Sequence, residues 1–153
     1  MILIGSQRIE ANRETVWSAL NDPDVLKDCI PGCTALDKVS DTEMKAISTL
    51  KVGPMKITFS GRVLFSDINP PHGYSIAGEG SGGVAGFVKG GAAVRLEQDE
   101  GATILHYEAK SDIGGKLAQL GARLIDSTAK KYTREFFEKF GATVGQLAVQ
   151  NPR

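Results

Sequence analysis

The sequence predicts a single α+β domain in which a curved antiparallel sheet packs against one long C-terminal helix. Three observations predict this class. The 153 residues amount to one domain's length of chain, a hydrophobic period of two runs through the middle, and an amphipathic helical pattern closes the sequence. We assign residues 1–148 to the domain and residues 149–153 to a polar C-terminal tail.

The N-terminal part predicts a strand followed by two short helices. Residues 1–9 alternate imperfectly between apolar and polar side chains, which is typical of an opening strand. Asn12 precedes residues 13–20, whose apolar positions share one helical face, and asparagine is a residue type that caps helices. Pro23 then suits the first turn of a second helix, which we expect to end at the Pro31-Gly32 turn.

The middle of the chain predicts an antiparallel meander. From Thr34 to Ile113 the hydrophobic period is two, with turn residues about every ten positions. The even-numbered positions of residues 44–52 and the odd-numbered positions of residues 57–65 form the apolar or small sets, so we expect both sets to face inward. Three more strands are predicted at about 73–80, 87–98 and 102–113.

Glycine is concentrated in one part of the predicted meander. Nine of the 18 glycines lie between Gly73 and Gly101. Glycine removes bulk from the sheet face that it occupies and is typical of bulges and sharp bends. This density therefore predicts strong curvature and cleared space on one face of the sheet, and we expect a cavity there.

The C-terminal part predicts one long amphipathic helix. Apolar residues recur at spacings of three, four and seven from Leu117 to Leu147. The opposite face carries Lys131, Glu135 and Lys139, whose spacing of four stabilises a helix by a few tenths of a kcal/mol per pair, as an order of magnitude. Some thirty residues at about 1.5 Å each would span about 45 Å, enough to cross the concave face of a curved sheet.

Composition excludes several classes of protein. Eighteen Lys and Arg residues balance 18 Asp and Glu residues, whereas a nucleic-acid binder usually has a basic excess. No stretch approaches the ~20 apolar residues of a membrane span, and the N-terminus lacks the pattern of a signal peptide. Two cysteines cannot form a disulfide framework. We expect a cytoplasmic protein that binds no nucleic acid and needs no cofactor to fold.

None of the apparent motifs favours catalysis or metal binding. The glycine spacing at 78–83 matches a dinucleotide-binding loop, but a strand pattern follows it where that loop requires a helix, so we assign it a structural or cavity-edge role. Cys29 and Cys33 fit neither a redox pair nor a zinc site, and we interpret them as plain thiols. His106 and Glu108 share a strand face that we expect to be solvated, although an acid-base pair is the alternative.

Several segments resemble a known family. They are Val16-Trp17 through Asp22-Pro23, Cys29-Ile30-Pro31-Gly32-Cys33, Lys51-Val52-Gly53-Pro54, and Gly78-Glu79-Gly80 through Gly86-Phe87-Val88-Lys89-Gly90. From about Met1 to Gly145 the chain resembles the CoxG family of carbon monoxide dehydrogenase subunits, within the START-like (SRPBCC) helix-grip superfamily. The resemblance implies a ligand-binding domain in which the sheet grips the C-terminal helix around an internal cavity.

The resemblance also implies a function. Members of this family are expected to be accessory proteins of a carbon monoxide dehydrogenase-type molybdenum hydroxylase, with a lipid-like or quinone-like ligand. Our leading hypothesis is non-enzymatic binding of a hydrophobic or amphipathic small molecule, in the cytoplasm or at the inner face of the membrane, with at most transient membrane contact. The alternatives are an assembly or maturation factor that engages the hydroxylase through its surface, and a cyclase or hydrolase on the same fold.

Aromatic and aliphatic residues at positions expected to face inward form the predicted ligand-binding set. They are Phe59, Phe65, Tyr74, Ile76, Phe87, Val94, Tyr107, Leu120, Leu124 and Tyr132. The aromatic members either touch a ligand or pack in the core, since a buried tyrosine hydroxyl takes a partner from the protein or from a ligand. Trp17 is interpreted as a core anchor. An enzyme would need titratable groups that converge in the cavity, and the set contains no acidic or basic side chain and no histidine.

Overall fold

The computed structural model describes residues 1–150, which form one seven-stranded antiparallel sheet, three α-helices and two 3-10 turns. In chain order the elements are β1 (Ile2–Ile9), α1 (Arg13–Leu20), α2 (Pro23–Cys29), β2 (Cys33–Ser40), β3 (Glu43–Val52), β4 (Met55–Asn69), β5 (Gly73–Ser81), a 3-10 turn (Gly83–Ala85), β6 (Phe87–Asp99), β7 (Ala102–Gly114), a second 3-10 turn (Gly115–Leu120) and α3 (Ala122–Gln150). The predicted α+β class is confirmed.

The two short helices begin where the sequence provides caps. The Asn12 side chain accepts a hydrogen bond from the Thr15 N–H at 2.8 Å, and the Asp22 side chain accepts one from the Asp24 N–H at 2.9 Å. Pro23 occupies the first position of α2, as predicted. These caps satisfy N–H groups that have no partner inside a helix, so both helices start at defined residues.

The strands are arranged in the order β1-β7-β6-β5-β4-β3-β2, and all neighbours are antiparallel. Strands β2 to β7 form the predicted meander, and β1 pairs with the last strand, Ile2 lying opposite Lys110. In β3 and β4 the predicted inward sets are buried or half-buried while most of their neighbours are exposed, which confirms the predicted alternation.

The main core lies where α1, α2 and the C-terminal half of α3 meet the inner face of the sheet. Phe140 and Val144 of α3 are fully buried there, together with Val16 of α1. Trp17 packs against this core with its ring centroid 5.4 Å from that of Tyr74, so its predicted role as a core anchor is confirmed. A second, smaller cluster is centred on Val52, Ile57 and Leu117.

The long helix begins later than the hydrophobic pattern predicts. Leu117 and Leu120 lie in the separate 3-10 turn, and Gly121 divides that turn from α3. The φ of Gly121 is +96°, a conformation that interrupts a helix and that glycine adopts without strain. Helix α3 therefore has 29 residues and is about 44 Å long. It continues to Gln150, past the predicted boundary at 148, and residues 151–153 of the predicted tail lie outside the described residues.

Tyr132 fastens α3 to the free edge of β3. Its hydroxyl donates to the Lys51 carbonyl at 2.7 Å and accepts from the Lys51 N–H at 3.0 Å. Strand β2 begins at Cys33, opposite Ser48, so the end of β3 has no strand partner on that side. The Tyr132 hydroxyl therefore makes, at Lys51, the two backbone hydrogen bonds that a neighbouring strand would otherwise make.

We expect the substitution Tyr132→Phe to lower the free energy of unfolding by about 1 kcal/mol, because two hydrogen bonds to exposed backbone groups are lost and water replaces them in part. Urea unfolding followed by far-UV circular dichroism measures the change. Glu138→Gln, at an exposed position on the same helix, is the matched control. Equal stability of the Tyr132→Phe variant and the native protein would contradict the fastening role.

Candidate ligand-binding cavity

The inner face of the sheet lines an apolar cavity of about 510 Å³, which we call the inner chamber. Its volume lies within the range typical of small-molecule sites. The apolar and glycine residues that line it are Ile30, Ala46, Leu50, Phe59, Gly61, Val63, Ile76, Gly78, Gly80, Val88, Gly90, Gly91 and Ala109. Arg62, Glu79 and Lys110 border it through the backbone, because strand alternation points their side chains to the outer face of the sheet.

The inner chamber lies between the two apolar clusters of the fold. Ile30 and Ile76 belong both to its lining and to the main core. Phe59 and Val88 belong both to its lining and to the second cluster around Val52, Ile57 and Leu117. Packed side chains of the two clusters therefore border the chamber on two sides, and the chamber is open along part of its surface.

Glycines form one wall of the inner chamber. Gly61 lies opposite Gly80 across β4 and β5, and Gly78 lies opposite Gly90 across β5 and β6. A Cβ atom at Gly78 or Gly80 would have its nearest neighbour at 3.5 or 3.8 Å, so both positions face space that a side chain would fill. The cavity predicted from the density of glycine is present at the predicted strands.

Nine of the ten predicted ligand-binding residues lie in three environments, and the tenth is Phe87. Phe59 and Ile76 line the inner chamber. Four residues pack in or against the main core: Phe65, Tyr74, Val94 and Tyr107. Three lie on the helix side: Leu120 in the second cluster, Leu124 against Gly53, and Tyr132 on the edge of β3. Contact of any of them with a ligand stays a prediction.

Phe87 is the exception, because the prediction that it faces inward is wrong. It is 46% exposed on the outer face, while the next residue, Val88, lines the inner chamber. Positions 87 and 94 differ by an odd number, so a regular strand cannot turn both residues inward. Val94 and Leu96 pack at the main core, and this contact fixes the register that leaves Phe87 outside.

Sequence reasoning missed Ile30 as a site residue. It follows α2 directly and lies outside every strand, yet it reaches the inner chamber opposite the sheet. Its one signal in the sequence is an apolar side chain directly before the Pro31-Gly32 turn. Val88 was missed for a different reason, since its inward position follows from the register of β6.

The titratable side chains considered as catalytic lie outside the inner chamber. His106 Nε2 is 3.1 Å from Glu97 Oε1 across β6 and β7, and Glu108 is exposed, so the predicted solvated face is confirmed. Burial raises the pKa of the Tyr74 hydroxyl, which lies between the Trp17 and Phe65 rings. The described lining of the chamber therefore provides apolar contact and no acid-base pair.

A family model for CoxG, a subunit of carbon monoxide dehydrogenase, matches residues 5–145. The chain belongs to the CoxG family. The resemblance carried by the sequence segments is thereby confirmed. Membership of this family, together with the fold, supports an accessory, ligand-binding role.

Solved structures show the same helix-grip fold. A conserved protein from Geobacillus kaustophilus superposes with a TM-score of 0.89 at 30% sequence identity, over 95% of this chain and 96% of that one. The Zhui aromatase/cyclase from Streptomyces sp. R1128 has a TM-score of 0.66 at 11% identity, over 97% and 95% of the chains. Ara h 8.0201 has a TM-score of 0.66 at 14% identity, over 94% and 97%. No curated protein matches the sequence significantly.

The two thiols of this CoxG family member differ in environment. Cys29 is buried, with its Sγ 3.9 Å from the Thr143 hydroxyl, and burial raises the pKa of its thiol above the usual value. Cys33 is half-buried and its Sγ lies 3.3 Å from the Ala35 carbonyl. Within residues 1–150 no three His, Cys, Asp or Glu side chains cluster closely enough to bind a metal ion, and no helix there is long and apolar enough to span a bilayer.

We expect Cys33 to react with iodoacetamide at least ten times faster than Cys29 at pH 8, because only the thiolate reacts and burial keeps Cys29 protonated. Raising the pH toward 10 should narrow the difference, since the Cys29 thiol ionises only at higher pH. Peptide mass spectrometry of timed samples measures both rates, and protein unfolded in urea is the control in which the rates converge. Equal rates in the folded protein would overturn this assignment.

Proposed function

We propose that this CoxG family member is a non-enzymatic protein that binds a lipid-like or quinone-like molecule for a carbon monoxide dehydrogenase-type molybdenum hydroxylase. The observation that carries the proposal is the inner chamber. Its volume of about 510 Å³ suits a small molecule, and its lining consists mainly of glycine, aliphatic residues and Phe59, with Ser111 and the backbone of Arg62, Glu79 and Lys110. An enzyme on the same scaffold would need reactive side chains that converge there, so binding fits the lining better than catalysis.

An apolar tail would provide most of the affinity in such a site. Removing a CH₂ group from water contributes about 0.8 kcal/mol, whereas the lining offers few polar partners. The polar part of the ligand would therefore determine orientation more than strength. Because apolar contact would outweigh polar contact, the site favours amphipathic molecules with a long apolar part over polar metabolites.

Loading requires an opening, which we place between the Gly114-Gly115 segment, the Pro31-Gly32 turn and the glycine loop at residues 82–86. Gly86 and Gly115 meet backbone to backbone, because a Cβ atom at Gly115 would lie 2.6 Å from the Gly86 Cα. No side chain lies between these two glycines, but Ala85 and Leu117 of the two segments pack in the second cluster, so opening would have to separate this apolar contact. Val84, at the tip of the glycine loop, is 88% exposed.

The proposed task is to carry the ligand between the membrane and the hydroxylase. A carrier that crosses water has to shield an apolar molecule, which is what the inner chamber would do. A net charge of zero predicts that membrane contact is brief and depends little on anionic lipid.

We expect Gly80→Leu and Gly78→Leu to lower the affinity for the neutral fluorescent probe N-phenyl-1-naphthylamine at least tenfold, because leucine would occupy the inner chamber. The backbone at both positions leaves room for a Cβ atom, so the variants should keep native far-UV circular dichroism. Ala77→Leu, which places the same side chain on the exposed outer face of β5, is the matched control. Unchanged affinity in both glycine variants would exclude this chamber as the site.

A second candidate function, assembly of the hydroxylase through a protein surface, is favoured by the outer face of the sheet. A groove of about 610 Å³ crosses that face, and Ile47 and Phe87 are 40% and 46% exposed beside Lys45 and Arg62. Exposed apolar side chains within a charged surface are typical of protein contacts.

One pair of measurements separates carrier from assembly factor. Protein loaded with a quinone is added, in detergent-free buffer, to the purified hydroxylase and its oxidisable substrate, which supplies the two electrons, and quinone reduction is followed optically. We expect loaded protein to accelerate the reaction and the Gly80→Leu variant to fail. If empty protein works equally well, while cells that lack the protein contain unassembled hydroxylase, the carrier proposal is replaced by the assembly function.

A further inference from the structure

A second cavity meets the inner chamber at one residue. This cavity of about 560 Å³, which we call the side vestibule, lies between the β1–β7 edge of the sheet and the first turn of α3. Ser111 of β7 lines both the side vestibule and the inner chamber. The Ser111 side chain is half-buried between the exposed residues Lys110 and Asp112, so strand alternation turns it to the inner face.

The two cavities differ in chemistry. The side vestibule combines apolar residues such as Ile113 and Ala122 with the polar residues Ser111, Asp112, Arg123 and Asp126. The inner chamber, in contrast, is lined mainly by apolar side chains and glycine. A molecule that occupied both would therefore have one polar end and one apolar end.

Arg123 is an exposed cationic side chain that lines the side vestibule together with Asp112 and the Met1 amino terminus. Lys130 Nζ engages Asp126 at 3.0 Å, and Asp112 points to the outer face of the sheet. In the part of the chain that the structure describes, no carboxylate lies within 4.0 Å of the Arg123 guanidinium. A guanidinium binds oxygen acceptors, carboxylate and phosphate most strongly of all.

The volume of the inner chamber limits the length of the apolar part. A water molecule takes about 30 Å³ in the liquid and a methylene group is of similar size, so 510 Å³ shelters roughly 17 such groups. That is one unbranched chain of about 16 carbon atoms or a tail of about three isoprene units. The second acyl chain of a two-chain lipid would extend outside the chamber.

We infer that the ligand is a single-chain amphiphile whose tail fills the inner chamber and whose oxygen-bearing head lies in the side vestibule, near Ser111 and Arg123. This inference rests on the proposed function and specifies the class of ligand. It also places the apolar end of the ligand on the inner-chamber side of Ser111 and the polar end on the side-vestibule side. A fatty acid and a quinone with a short prenyl tail share this chemistry, and they differ in the charge of the head.

Chain-length series test the size limit. Displacement of N-phenyl-1-naphthylamine from the full-length protein is measured with saturated fatty acids of 10 to 20 carbon atoms, with the matching alcohols, and with quinones of one to six isoprene units. We expect the affinity to rise roughly fourfold per added CH₂ group and to stop rising near 16 carbon atoms or three isoprene units. An affinity that continues to rise to the end of every series would overturn the inference.

Two variants test the assignment of the ends. Ser111→Leu should weaken binding of the C16 acid and the C16 alcohol alike, at least tenfold, because the side chain blocks the junction. Glu108→Leu, an exposed outward position on the same strand, is its control. Arg123→Gln should weaken the acid about fivefold to tenfold and change the alcohol less than twofold, with Arg134→Gln, an exposed position further along α3, as its control.

The outcomes distinguish this inference from the proposed function. A length optimum in the acid series with a large Arg123→Gln effect supports the inference and identifies a carboxylate head. A length optimum that appears only in the quinone series, together with a small effect of Arg123→Gln on binding, also supports the inference and identifies a carbonyl head. If Gly80→Leu abolishes binding while Ser111→Leu leaves it unchanged, the inference fails and the chamber remains the site. If neither Gly80→Leu nor Ser111→Leu changes binding, both the inference and the proposed function fail.

Discussion

The burial of the C-terminal half of α3 against the inner face of the sheet is the contact on which the rest of the structure depends. Phe140 and Val144 are fully buried there, and the ring of Phe136 stacks on that of Phe140 at 5.4 Å. This half of the helix fills the concave face with side chains. The other half is held at separate points, by the Tyr132 hydroxyl on β3 and by Leu124 over Gly53, and no residue of α3 is among those that line the inner chamber.

That division gives the two ends of the sheet different roles. One end is a conventional core, packed to a density at which an empty cavity would cost stability. The other end has glycines at inward positions, and an apolar void of about 510 Å³ remains. A protein that keeps such a void loses packing energy in the empty state, and a bound ligand restores it. This relation between packing and occupancy connects the fold to the ligand-binding function that we propose for this CoxG family member.

Local features of the fold were predictable from the sequence, whereas long-range features were not. The Asn12 cap, Pro23 at the start of α2 and the alternation of β3 and β4 depend on neighbouring residues. The break at Gly121 was missed because a 3-10 turn continues the apolar spacing of a helix. The glycine wall of the site was also predictable, but residues of the core and of the chamber share one inward face, and only three-dimensional packing separates them. Ile30 reaches the chamber from a turn, which no periodicity reveals.

The pairing of β1 with β7 has a consequence for the order of events during synthesis. Of the seven strands, β1 is synthesised first and takes its partner from residues 102–114, about a hundred positions later, so the sheet reaches its full width only after β7 has been synthesised. Until then this edge of the sheet is incomplete. The part of the inner face that lies on β1 and β7 is therefore the last part of the sheet to form during synthesis.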